Sequence, residues 1–426
     1  MIAATGSGGI PHAPYPQDDR RSRSIDDRGV SRRLLAHLVL PLLALAVTVA
    51  GPAWSVTPAS AAAPTATLSP SSGPAGSSTT LTATGLPRSA AALVTIGLST
   101  LKVRTDRAGR LVTPVAVPAL AIGDVRVAVS ASGLRMVTRY RVTGRLRFGV
   151  SVPGGPGATE QNAEAALALG EVPSIEMFYR PFGSEIATSD LDAAAGRKAT
   201  PLLTWEPWNP GRGVDQPDYR LSRITAGKDD SYVLRTAQVL RAWGKPVLLR
   251  FAHEMNGDWY PWCEQANGNQ AGDYAAAWRH VHDLFVSAGA ANVAWVWSPN
   301  VSYAGSTSLA SVYPGDAFVD LVALDGYNWG TTVPWHSWTA AADVFGPTLA
   351  ELRSIAPRKP LFIAETASTE VGGDKAAWIR NMFTWLSGQP NVEAVVWFDY
   401  DKETDWRVNS SSSAAEALRQ GLAART

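Results

Sequence analysis

Two glutamates stand in settings that suit acid–base and nucleophilic chemistry. One lies in Arg250-Phe251-Ala252-His253-Glu254-Met255-Asn256-Gly257-Asp258-Trp259-Tyr260-Pro261-Trp262, the other in Leu361-Phe362-Ile363-Ala364-Glu365-Thr366-Ala367-Ser368. Each follows a short apolar run of the kind that forms a buried strand, so each should sit where a strand opens into a loop. Two carboxyls at strand ends can divide the work of cleaving a glycosidic bond. One protonates the departing oxygen, and the other attacks the anomeric carbon or activates water. A separation of about 5–5.5 Å implies retention of configuration, and about 6.5–9.5 Å inversion. The chain has 16 tryptophans, most of them beyond residue 200. Those in loops can stack on sugar faces, and the rest pack in the core.

Other residues compete for a place in such a site. Glu206, in Thr204-Trp205-Glu206-Pro207-Trp208, is a third carboxylate at a strand end and is read as a substrate contact, with a loop cap as the alternative. Trp205, Trp208, Trp262 and Trp329 are candidate stacking platforms. Asp325 and Asp399 have structural readings at least as good as functional ones. No metal or cofactor is expected: Gly257 stands where a His-Glu-x-x-His zinc motif needs its second histidine. His280 and His282 are two apart on a helical stretch and face different ways. No Gly-x-Ser-x-Gly elbow is present for a serine hydrolase. Cys263 is the only cysteine, so no intramolecular disulfide can form, and a buried inert thiol is the expectation.

The elements that must position these residues fall into three stretches. Residues 1–63 read as a signal peptide and leader: an arginine-bearing region, an apolar run over 34–50 interrupted by Pro41, and a small-residue stretch ending Pro58-Ala59-Ser60-Ala61-Ala62-Ala63. The expected location is therefore extracellular. Residues 64–144 contain no tryptophan and alternate at period two in six or seven short runs punctuated by Gly and Pro, which predicts a small all-β, immunoglobulin-like sandwich. It has no aromatic platform, so carbohydrate binding by this region is not expected, and a spacer or docking role is. Residues 145–426 alternate eight apolar runs with Ala-rich or amphipathic stretches, which predicts an α/β fold, a (β/α)8 TIM barrel. Counting runs places Glu254 after the fourth strand and Glu365 after the seventh, both on the C-terminal face where barrel active sites lie.

Arg-Phe-x-His-Glu-Met-Asn-Gly-x-Trp-Tyr-Pro-Trp, over residues 250–262, resembles the signature of glycoside hydrolase family 26, which includes the β-mannanases. Leu324-Asp325-Gly326-Tyr327-Asn328-Trp329, Val396-Trp397-Phe398 and the trailing Lys402-Glu403-Thr404-Asp405-Trp406 agree with it. The resemblance implies that Glu254 is the general acid/base and Glu365 the nucleophile of a retaining double displacement. It also implies that His253 orients the site, that Tyr327 hydrogen-bonds the nucleophile, and that Trp259 and Trp397 line the subsites. Arg250 and Asn256 complete the candidate substrate-binding set, and Arg250 can also keep one carboxylate charged. Glu254 must then start protonated, above the usual value of about 4.3. The implied partner is a β-linked polysaccharide, with mannan favoured for an endo-β-1,4-mannanase. Mixed-linkage β-1,3-1,4-glucan and β-1,3-xylan are alternatives, as is a binding protein without catalysis.

Bulk properties agree with a folded enzyme. The 426 residues exceed one small domain, and 46% hydrophobic against 18% charged residues supply a large core. A formal charge of +1 gives no global field to recruit nucleic acid or an anionic membrane. A monomer is the default.

Overall fold

A computed structural model describes residues 63–425, apart from 74–76, 98, 119–123, 143 and 390. The leader expected over 1–63 lies outside them except for its last residue, as do Pro74 and Gly123 of the turn punctuation.

The first part is a sandwich of eight strands: β1 (Thr65–Ser69), β2 (Ser72–Gly73), β3 (Ser78–Thr84), β4 (Ala91–Ile96), β5 (Ser99–Arg104), β6 (Leu111–Ala116), β7 (Asp124–Ala131) and β8 (Leu134–Val142). One sheet runs β1-β3-β6 and the other β2-β8-β7-β4-β5. Alternation drives the packing. Along β6 every second residue, Leu111, Thr113 and Val115, is buried. Leu81 of one sheet meets Val94, Val127, Val129 and Tyr140 of the other in a shared core. Burying each such side chain is worth about 1.5–3 kcal/mol, enough to hold a small sandwich together without a disulfide.

The second part closes eight parallel strands into a barrel: β9 (Arg147–Ser151), β10 (Ile175–Pro181), β11 (Thr200–Glu206), β12 (Val247–Phe251), β13 (Val293–Trp297), β14 (Leu321–Asp325), β15 (Leu361–Thr366) and β16 (Val392–Phe398), with β16 paired to β9. Helices α1 (Thr159–Leu169), α2 (Thr188–Gly196), α3 (Leu221–Thr225), α4 (Asp230–Trp243), α5 (Asp273–Ala288), α6 (Leu309–Val312), α7 (Ala341–Ile355), α8 (Lys375–Ser387) and α9 (Ser412–Ala424) surround it. Local chemistry sets their ends. Asp374 and Ser411 accept from the backbone N–H groups of Ala377 and Ala414 to cap α8 and α9. α5 stops at Gly289, which adopts the left-handed conformation that costs glycine nothing. Only α6, after β13, is reduced to four residues, and that stretch has the weakest helical pattern of the eight connections.

Strand parity decides what faces the site. Ile175, Met177, Leu202, Leu248, Val296, Leu321, Ala323, Phe362, Ala364 and Val396 point into the barrel and fill its interior. Their neighbours in the other parity, such as Leu203, Leu249, Leu324 and Val395, pack against the helices. At the C-terminal end the inward positions change from apolar to polar. Tyr179, Thr204 and Arg250 stand side by side across β10, β11 and β12. Alternation alone would turn Glu365 outward, because Ala364 before it faces in. The register shifts on both edges of β15 and pairs Glu365 with Asp325. Such irregularities re-aim side chains beside active sites.

Candidate active site

The polar layer forms the floor of a cleft of about 680 Å³ lined by Glu254, Glu365, Glu206, His253, Tyr179 and Tyr327 among others. Glu365 lies at its base, 5% exposed. The Tyr179 hydroxyl donates to its Oε1 at 2.8 Å and the Tyr327 hydroxyl to its Oε2 at 2.6 Å. The Arg250 guanidinium also donates to Oε1 through Nη2. Burial by itself would raise the pKa of Glu365. The Arg250 charge, with help from His253 and the Tyr327 hydroxyl, outweighs burial and brings it down to about 2. Burial, and then the Glu365 charge, push the Tyr327 hydroxyl well above its usual range, so it stays a donor. Tyr179 behaves alike.

Arg250 is completely buried. Its Nε donates to Thr204 Oγ1 at 2.9 Å and its Nη1 to Asp325 Oδ2 at 2.9 Å. Asp325 is held in turn by the Ser298 hydroxyl at 3.0 Å. One guanidinium thus uses three nitrogens to fix two carboxylates and a hydroxyl. A buried charge survives only in such fully bonded company.

Glu254 is held differently. The chain leaves β12 through a sharp kink in which Ala252 and Glu254 both adopt positive φ, 46° and 52°. The Glu254 N–H donates to Ser298 O at 2.7 Å, and the Ala252 carbonyl accepts from the Tyr274 hydroxyl at 3.0 Å, which pins the kink. Asn300 Nδ2 donates to Glu254 Oε1 at 2.8 Å, and Trp259 Nε1 to Oε2 at 2.9 Å. Gly257 makes room for that indole, since a Cβ there would lie 2.6 Å from the Trp259 ring. Asn256 and Asn300 exchange two further bonds, at 2.9 and 3.0 Å.

The sequence candidates separate into two groups. Glu254, Glu365, His253, Trp259, Tyr327, Glu206, Trp208 and Trp329 line the cleft. Five others do not. Trp205 and Trp397 share the outward parity of Leu203 and Val395, so both rings lie in the core between sheet and helices, fully buried. The Trp397 indole donates to Trp406 O at 2.8 Å. Trp262 is buried too, stacked at 4.3 Å on Tyr260 and donating to His253 O. These three rings are fully buried and do not line the cleft. Asn256 and Arg250 do not line the cleft, and bond instead to Asn300 and Glu365, respectively. Cys263 is buried, and burial pushes its thiol well up.

Glu206 is 6% exposed at the cleft wall. Burial raises its pKa to about 7, against the pull of the Trp208 indole and Arg250. Sequence reasoning missed Tyr179, Asn300 and Tyr400. Tyr179 carries the inward parity of Ile175 and Met177, and Asn300 follows the end of β13 by three residues, so parity and strand ends held a signal for both. Tyr400 lines the cleft, stacks on Phe398 at 4.2 Å and donates to Val152 O at 2.9 Å.

The sequence model of glycosyl hydrolase family 26 matches residues 214–381, a stretch that contains both Glu254 and Glu365. Endoglucanase H of Acetivibrio thermocellus is 43% identical over 240 residues, covering 55% of this chain and 25% of that protein. Mannan endo-1,4-beta-mannosidase A and B of Caldalkalibacillus mannanilyticus is 39% identical over 90 residues, 20% of this chain and 17% of that protein. The chain therefore spans a quarter or less of the length of these relatives. In fold, 66% of the chain matches 86% of the catalytic domain of a Bacillus family 26 endo-beta-1,4-mannanase, with a TM-score of 0.50 and 17% identity. Over residues 214–381, which hold both glutamates, the barrel of this chain is thus similar to glycosyl hydrolase family 26.

Proposed function

We propose that the barrel cleaves a β-linked polysaccharide internally, with retention of configuration, by a double displacement. The observation that carries this reading is the unequal treatment of the two glutamates in one cleft. Glu365 is ionised, aimed by two tyrosine hydroxyls and neutralised by a buried guanidinium, which suits a nucleophile. Glu254 accepts bonds from the Asn300 amide and the Trp259 indole, and in this reading it carries the proton. In the first step a Glu365 oxygen bonds to the anomeric carbon and the glycosidic C–O bond breaks. The departing oxygen takes the electron pair and the Glu254 proton. In the second step water bonds to that carbon and gives its proton to Glu254, and the Glu365 ester bond breaks. His253, Trp259, Trp208 and Trp329 are the sugar contacts of this reading.

A β-glucan is the favoured chain, because the match to an endoglucanase extends over 240 residues. Mannan, favoured by the motif alone, is the second reading and is supported by a shorter match to a mannosidase. Secretion directed by residues 1–63, a module over 64–144, a barrel over 145–426 and a monomeric state belong to the same proposal.

Two assays test it. Reducing-sugar release is compared on barley β-glucan and galactomannan, and faster release from galactomannan would move the substrate to mannan. Glu254→Ala should abolish cleavage of polysaccharide while sparing an aryl glycoside with a good leaving group, and Glu365→Ala should abolish both. Equal loss on both substrates in the two variants would undo the assignment of roles.

A further inference from the structure

The formal charge of +1 conceals a segregation. Residues 64–144 carry nine arginines and lysines against two aspartates, a formal +7. Residues 145–426 carry 23 against 31, a formal −8. Within the sandwich the positive charge is concentrated. The register of the five-stranded sheet sets Arg126 opposite Arg139, Ser130 opposite Arg135 and Asp124 opposite Arg141. It sets Leu93 opposite Lys102 and Ala91 opposite Arg104, and Leu93 also opposite Ser130. Residues directly opposite in an antiparallel ladder share a face, and alternate residues along a strand share it too. Lys102, Arg104, Arg126, Arg135, Arg139 and Arg141 therefore all stand on one face, turned away from the core that holds Val94, Val127, Val129 and Tyr140. All six are exposed.

Folding alone does not explain this grid. Arg126 opposite Arg139 is a like-charge pair, which opposes sheet formation by a few tenths to about 1 kcal/mol. Leu93 and Val137, each 45% exposed, lie among the cations on the same face. Neighbouring strands are about 4.8 Å apart and same-face residues about 6.8 Å apart, so a single linear polyanion can meet several guanidinium groups at once.

We propose that this sheet face docks the chain onto an acidic, carboxylate-bearing polysaccharide, a polymer other than the neutral one cut in the barrel. Guanidinium forks match planar carboxylates two bonds at a time, and the exposed Leu93 and Val137 suit the C–H faces of sugars. Two competing occupants fit less well. Single-stranded nucleic acid needs exposed aromatic platforms, and this region has no tryptophan and its only tyrosine, Tyr140, is buried. The major groove of duplex DNA admits a two-stranded ribbon, not the broad face of a five-stranded sheet. The proposal borrows from the catalytic reading only the idea that the chain works among polysaccharides. It holds for glucan or mannan alike.

The test measures binding of the full chain to immobilised polygalacturonate at 20 and 200 mM NaCl, beside neutral β-glucan, duplex DNA and phosphatidylserine vesicles. Binding to polygalacturonate should weaken at least tenfold at the higher salt, as contacts between exposed charges do. The triple variant Arg126→Gln, Arg139→Gln, Arg141→Gln should bind at least tenfold more weakly and hydrolyse soluble substrate at the unchanged rate. A control, Arg88→Gln, Arg107→Gln, Arg110→Gln, removes the same charge from exposed positions off this face and should keep most of the binding. Equal loss in both variants would reduce the effect to net charge and overturn the proposal. So would absence of polygalacturonate binding, tighter binding to DNA or vesicles, or salt-dependent dimerisation seen by light scattering. A chain that binds polygalacturonate yet cleaves nothing would leave docking intact and remove the catalytic reading alone.

Discussion

Glu365 and Glu254 open on one cleft from two strands of one barrel, yet their surroundings differ. Glu365 rests on a buried cation and two tyrosine hydroxyls. Glu254 accepts bonds from an asparagine amide and an indole. Side-chain identity therefore does not assign the roles. The difference is made by neighbours on β10, on β12 and just after β14 for one carboxylate, and by the loops after β12 and β13 for the other.

The sharpest way to break that contrast is Arg250→Met. It leaves Glu365 and Asp325 buried without their cation, and breaking a buried pair of this kind costs about 3–5 kcal/mol. The pH dependence should change sign. With Arg250 present, the folded-state pKa of Glu365, about 2, lies below the unfolded value. Glu365 then adds stability above the ordinary carboxylate range, and that stability is lost as pH falls through about 2. Without Arg250, burial dominates and the folded-state pKa rises above the unfolded one. Stability should then be greatest below the ordinary carboxylate range and fall as pH rises. Urea midpoints between pH 4 and 8 check this, and a variant whose midpoint tracks the parent at every pH would show that Arg250 does not set the charge of Glu365.

A smaller change keeps the cation and removes one donor. Tyr327→Phe deletes a bond to a charged acceptor, worth about 1.5–3 kcal/mol, so kcat/KM should fall roughly 10- to 150-fold with little change in fold. Loss of less than threefold would mean that Tyr179 and Arg250 suffice to aim Glu365. Smallest is Asn300→Ala on the other glutamate. A neutral bond is worth about 0.5–1.5 kcal/mol, which predicts a two- to twelvefold fall. The loss should be larger for polysaccharide than for an aryl glycoside that leaves without a proton. A loss equal to that of Tyr327→Phe on both substrates would erase the contrast.

Eight strands were legible because each is a buried apolar run, and most helices because Ala-rich or amphipathic stretches lie between them. The short α6 had no such stretch. The misassigned tryptophans show what a motif leaves out. Trp205 and Trp397 stand beside cleft residues in the chain, but Thr204 and Val396 face inward, so alternation sends both indoles outward. Parity read from Leu202 and Val396 would have excluded them. It would also have recovered Tyr179, two residues beyond the inward Met177. Glu365 lies beyond that reasoning, because the register shifts that turn it inward are a property of three strands together. Asn300 was hidden for a similar reason: its value depends on Asn256 and Glu254, which are 44 and 46 residues away. The docking face was missed because one total charge was weighed instead of two regional ones.

The seam between β16 and β9 has a consequence for how the site comes into being. Ala394 pairs with Arg147 and Phe398 with Ser151 across almost 250 residues, and Tyr400 reaches back over the same span to Val152. A chain made from its N-terminus has Tyr179 early, Arg250 and Glu254 midway, and Glu365 late. Loop closure on this scale is slow and comes before any contact that rewards it. Until the last strand arrives, Glu365 and Arg250 have no sealed wall to keep water from between them. On the proposed reading the site is thus completed in a single late event during biogenesis, when the cylinder shuts, and a nascent chain stopped short of β16 carries Tyr179, Arg250, Tyr327 and Glu365 without the closed wall around them.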